Sequence, residues 1–279
     1  MAASRHLARM SEPQGRPSGM PPNGIGHTGP HDDLGPDLPE PRGHPPAFNV
    51  PGVVLALLAL LAAIHVATVF LAPSDGWGWW VPWLSFVPGF ITFPAAETEL
   101  GMTPWWSFVT YGLFHGDALH LATNGLWLLA MGSPVARRFG TGRFLAFIFA
   151  GTVAGAVAHY VVDPRALVPM IGASGAVSAL FGAAMRFALA GRGLRGPDVH
   201  LRPRLSLVEA FSDRTVLSFV LIWLAINYVF GAGLIPIPGA EGGIAWQAHM
   251  GGFALGLFGF ALFDPIGSDG SETRFDHRA

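Results

Sequence analysis

Between Val53 and Phe263 the chain carries six stretches of 18 to 20 mostly apolar residues: Val53–Ala72, Ala118–Val135, Phe144–Val162, Met170–Leu189, Val216–Leu234 and Ile244–Phe263. A helix that crosses a bilayer needs about 20 such residues. The pattern predicts an all-α membrane protein with six spanning helices. Composition agrees: 51% of the 279 residues are hydrophobic and only 12% are charged, against about 25% charged in an average globular protein.

Two flanking regions differ from this core. Residues 1–50 hold ten prolines and seven glycines, with Phe48 the only aromatic. Such a stretch cannot bury enough apolar surface to offset its ordering entropy, so it reads as a disordered tail. It lacks the apolar run of a signal peptide. Arg5, Arg9 and Arg16 suggest a mitochondrial transit peptide, but Glu12 and the Pro/Gly density argue against one. The expected organisation is a tail over 1–50, a membrane domain over 51–265 and a short tail over 266–279. The chain has no cysteine, which excludes disulfides, thiol nucleophiles and cysteine-ligated metals. A net charge of −2 gives no sign of a nucleic-acid partner.

Arginine placement orients the helices. Starting with residue 1 inside, the inner segments hold fifteen of the sixteen arginines, Arg165 alone lying outside. Both termini are therefore expected in the cytoplasm. The first outer segment, 73–117, has no basic residue and carries six of the nine tryptophans. It reads either as an interfacial aromatic belt or as a loop lying partly in the outer leaflet.

Polar residues inside spanning helices are costly and are functional candidates by default. His120 and Asn124 in the second helix, Ser174 in the fourth and His249 in the sixth stand out. These three helices run from outside to inside. His120, Ser174 and His249 lie near their outer ends, roughly 5–9 Å below the surface at 1.5 Å per residue. Asn124 follows His120 on the same helix face. Ala248, Gly252 and Gly256, and Ser178 and Gly182, are spaced for close helix approach, with Gly172 and Gly175 flanking Ser174. Close packing lets an imidazole on one helix take the proton of a hydroxyl on another. His249 then serves as base, Ser174 as nucleophile, and Asn124, His120 and the backbone N–H near Ser174 as oxyanion donors. No carboxylate at that depth completes a triad, so a dyad is the natural reading.

Plainer readings stand beside this one. Ser174 can bond its own helix backbone, Asn124 can bridge two helices, and small residues can serve packing alone. His65 and His159 read as packing residues. Three imidazoles, His115, His120 and His249, would suit zinc, although a serine between glycines has no place as a ligand. Polar residues lining a transport path would be expected at several depths, whereas these cluster near one face.

Over about residues 53–263 the chain resembles the rhomboid intramembrane proteases of bacterial type. Gly172-Ala173-Ser174-Gly175 is similar to that family's nucleophile motif. Ala248-His249-Met250-Gly251-Gly252, followed by Gly256, is similar to its sixth-helix histidine motif. His115, His120 and Asn124 are similar to its second-helix signature. The resemblance implies a six-helix bundle in the bacterial inner membrane, with a water-filled cavity open to the outside. It also implies a Ser174–His249 dyad, an oxyanion hole built with His120 and Asn124, and substrates that are transmembrane segments of other proteins in the lipid bilayer. No metal or organic cofactor is implied. An inactive, client-binding member of the same family is the alternative. Two positions depart from the family pattern: Ser178 stands where relatives often have a tyrosine packed on the histidine, and Trp106-Ser107 where many have Trp-Arg.

Overall fold

The helix Gly52–Leu71 (α1) is apolar on every side, and only Val54 and Leu61 of it are fully buried. Phe70 is 82% exposed and Leu71 69%. Water would not support a helix of this kind, whereas lipid covers it at no cost. The computed structural model describes residues 50–71, 80–190, 194, 198–235 and 244–266, which fall in one unit, Ala47–Ala279. The expected tails, but for Val50 and Ile266, lie outside the described residues, as do Trp77 and Trp79.

Every regular element among the described residues is helical. Three runs are long and apolar enough to cross a membrane: Gly52–Leu71, Ala118–Val162 and Arg214–Gly231, with Ser174–Met185 a shorter apolar helix. These helices make the chain an integral membrane protein of all-α architecture.

The 45-residue run would be about 68 Å long if straight, more than twice the hydrocarbon thickness of about 30 Å. It is broken at Gly140, with φ 71° and ψ 167°, a conformation open essentially to glycine alone. The arms 118–139 (α2) and 141–162 (α3) fold back on each other, with Phe139 edge-on to Phe147. Gly140→Ala meets open space but a forbidden backbone. It is expected to lower stability by about 1–3 kcal/mol, measured by unfolding in mixed micelles, with no change if the turn is merely a flexible hinge.

The buried residues of α3, namely Phe144, Phe147, Gly151, Thr152, Gly155, Ala156 and His159, recur at three- and four-residue steps and form one face. That face meets Ser174–Met185 (α4), in which every residue from Gly175 to Met185 is buried. Asp213 caps Arg214–Gly231 (α5) by accepting from Thr215 N and Val216 N; its apolar face, including Leu221, Ile222 and Ile226, is exposed. Trp246–Phe258 (α6) closes on both α3 and α4. A Cβ on Gly252 would overlap the Gly175 carbonyl, and one on Gly256 the Ala179 carbonyl. One on Gly182 would sit 2.5 Å from Phe253 O. Backbones this close maximise the dispersion contacts that hold helices together in lipid.

Two fourth-helix expectations need correction. Hydropathy predicts a helix from Met170, but it begins at Ser174. Met170 instead pairs with Phe86, each backbone N–H donating to the other's carbonyl at 2.9 Å. Gly172 then turns the chain with φ 121°. At the other end the helix stops at Met185 rather than Leu189: the Arg186 backbone carbonyl leaves the helical ladder and accepts from Leu205 N at 2.8 Å, while its guanidinium donates to Leu257 O at 2.6 Å and Leu205 O at 2.8 and 3.1 Å. The sixth helix is likewise shorter than Ile244–Phe263 and passes into a 3-10 turn, Phe260–Leu262.

At the end of α4 away from Ser174, Arg138 is buried and pairs with Asp264 through Nε and Nη2 at 2.7 and 3.0 Å. It also donates to the carbonyls of His200, Arg202 and Ile266.

Candidate active site

Ser174 is the first residue of α4. The first helical bond of that end runs from Val177 N to Ala173 O. The N–H groups of Ser174, Gly175 and Ala176 therefore have no partner inside the helix and carry its positive dipole end. At about 18 Å for twelve residues, α4 is shorter than the hydrocarbon thickness of about 30 Å.

The loop before α4 is tied down by Tyr111. Its backbone carbonyl accepts from Gly172 N at 3.0 Å, and its hydroxyl donates to Thr152 O at 2.8 Å. The same hydroxyl lies against Gly155 and Gly175, 2.8 Å from where a Cβ would stand on either. Tyr111 was not singled out from the sequence. A buried tyrosine needs a hydrogen-bond partner, but nothing in the linear pattern indicates which.

His120 is brought to Ser174. A Cβ on Gly172 would meet the His120 ring at 2.7 Å from Nε2, and Ser174 Oγ at 3.8 Å. The imidazole and hydroxyl thus border the same small space, which only a glycine leaves open. Asp117 sets the start of α2 by accepting from His120 N at 2.8 Å. His115 is buried and packs edge-on to His120, with ring centroids 4.9 Å apart. Asn124 is buried, and its amide donates to its own helix, to His120 O at 3.1 Å; its second N–H stays available.

His249 reaches the site through backbone packing. Its helix touches α4 at Gly252 on Gly175, one turn after His249 and one residue after Ser174. No hydrogen bond joins Ser174 Oγ to the His249 ring among the described residues; catalytic bonds are often long without substrate and tighten when it binds. The His249 Nδ1 instead bonds Asn227 Oδ1 at 2.7 Å. Asn227 lies on α5 and is not among the residues expected from the sequence, although an asparagine within an apolar spanning helix is itself a signal.

Among the described residues, no three His, Cys, Asp or Glu side chains converge as metal ligands would. The trio His115, His120 and His249 is not so arranged.

A family model described as Rhomboid domain matches residues 103–264, more than half of the chain and all of the residues just described around Ser174. Similar proteins include the rhomboid protease GluP of Bacillus subtilis (strain 168), 30% identical over 172 residues, 61% of this chain and 29% of that protein. The rhomboid protease GlpG of Enterobacter sp. (strain 638) is 31% identical over 153 residues, 54% of this chain and 46% of that protein. Rhomboid-related protein 2 of Mus musculus is 26% identical over 223 residues, 78% and 65% respectively. The chain thus spans less than two thirds of each of these relatives.

Proposed function

The chain belongs to the rhomboid family, and from that premise we propose that it is an intramembrane serine endopeptidase with Ser174 as nucleophile and His249 as general base. The observation that carries this reading is the Gly175–Gly252 contact, which sets the N-terminus of α4 against α6 within one turn of His249.

In this scheme Ser174 Oγ attacks the carbonyl carbon of the scissile bond while His249 Nε2 takes its proton. The oxyanion is met by the unpaired N–H groups at the start of α4, with the His120 ring and the Asn124 amide as side-chain donors. The imidazolium gives its proton to the leaving amine. Water, deprotonated by His249, then releases the acyl group and restores the hydroxyl. Gly172, Gly175, Gly252, Gly256 and His115 give the site its shape. The scheme calls for no metal or organic cofactor.

We read α1 to α6 as six spans of a membrane domain over 51–265, flanked by two tails. Arginine distribution supports cytoplasmic termini, and a bacterial inner membrane is the proposed location. Substrates are transmembrane segments of other membrane proteins. Such a segment satisfies its own backbone, so it must unwind locally before Ser174 can reach a carbonyl.

Labelling with a fluorophosphonate in detergent tests the reading. The parent protein is expected to label, Ser174→Ala not at all, and His249→Ala at least about 100-fold more slowly. Equal labelling of all three would sink the assignment. A folded parent that does not label would favour the inactive, client-binding alternative.

A further inference from the structure

We infer that Asn227 is the positioning residue of the site: it fixes the orientation and tautomer of His249 so that Nε2 is the free, basic nitrogen. The inference rests on the protease reading for its catalytic consequence, but its structural half stands alone.

Two hydrogen bonds carry it. The Asn227 amide donates from Nδ2 to Trp223 O at 2.8 Å, one turn back on α5. A backbone carbonyl only accepts, so the NH₂ end of the amide must be the end on Trp223. The other end, Oδ1, is therefore an acceptor, and it faces His249 Nδ1 at 2.7 Å. An acceptor there requires Nδ1 to carry the proton, which leaves Nε2 with its lone pair. The helix α5 thus dictates the tautomer of a ring on α6. Ring position is further set by stacking one turn along α6, where Phe253 lies on Trp223 with centroids 4.3 Å apart. Trp223 is the same residue whose carbonyl orients Asn227, so a single turn of α5, Trp223 to Asn227, holds both the ring and its helix.

A neutral amide does this work without placing a charge among apolar helices, where an ion would be costly. It follows that removing the amide should damage the base and not substrate binding. Asn227→Leu is expected to lower kcat on a transmembrane substrate about 10- to 100-fold, with KM within about twofold of the parent. Asn227→Asp keeps an acceptor at the same reach, its charge offset as His249 becomes imidazolium, and is expected to recover part of the lost kcat despite losing the bond to Trp223 O. Histidine ¹⁵N spectra should place the proton on Nδ1 of His249 in the parent and move it to Nε2 in a substantial share of Asn227→Leu molecules.

A Leu variant with parental kcat, a rise in KM in place of a fall in kcat, or equal losses in Leu and Asp variants would each overturn the inference. So would an unchanged His249 tautomer in Asn227→Leu. If the Leu variant does not fold, Asn227→Ser carries the same comparison. Failure of the protease reading would appear differently, as a parent without cleavage or labelling, while the tautomer still reports on Asn227.

Discussion

Ser174→Ala, His249→Ala and the double variant are expected to slow cleavage of a transmembrane substrate to one common floor, at least about 10⁴-fold below the parent, with the double variant no slower than either single one. The reason, on the proposed mechanism, is that the two groups act in one event. A hydroxyl without a base is a weak nucleophile, and a base without a hydroxyl has no proton to take. What survives at the floor is substrate binding and the N–H groups at the start of α4, which neither substitution touches. His120→Ala and Asn124→Ala should therefore cost less, about 10²- to 10³-fold each, because those N–H groups remain. Turnover in proteoliposomes measures all of these. Losses at Ser174 and His249 that multiply in the double variant would show that the two do not act as a unit.

Much of the candidate site was legible in the sequence because a membrane makes polarity informative. Lipid leaves few reasons to keep His120, Asn124, Ser174 and His249 in apolar helices, so each could be singled out without coordinates. The glycine spacing of α6 was legible for the same reason, and Gly252 and Gly256 do meet the carbonyls of Gly175 and Ala179. Helix ends were harder. Met170 is apolar enough for a spanning helix, and hydropathy cannot see that its backbone pairs with Phe86, 84 residues earlier in the chain. Starting α4 at Ser174 changes the chemistry, since a serine at a helix start stands beside free N–H groups while a serine inside a helix does not. The sequence also left open how His249 is held once Ser178 takes the place of an aromatic. The answer lies on another helix, at Asn227, and pairing between distant segments is what a linear pattern does not record. Arg138 and Arg186 were read as topological charges. Both also tie loops to helices through several carbonyls each.

Asp264→Ala is expected to destabilise the folded protein by about 3–5 kcal/mol, the range for breaking a buried pair and leaving one charge unmatched. Side chains of both partners are 0% exposed, and Arg138 meets the carboxylate through two nitrogens. Its remaining donors go to the carbonyls of His200, Arg202 and Ile266, and its guanidinium lies 4.6 Å from the Phe187 ring centroid. Loss of Asp264 leaves that cation in place among apolar neighbours without its counter-charge. Arg204, 3.7 Å from the same carboxylate, would lose its partner as well. Removing both charges together, as in Arg138→Met with Asp264→Leu, should recover part of the loss, because the cost lies in the unmatched ion and not in the absent pair. Unfolding in mixed micelles checks this, and a loss below about 1 kcal/mol would put the pair with ordinary exposed ones. The node sits at the end of α4 away from Ser174, so kcat per folded molecule should hold even as the folded fraction falls. A loss of kcat equal to that of His249→Ala would mean that Asp264 governs the register of α6, through the short turn Phe260–Leu262 that joins them.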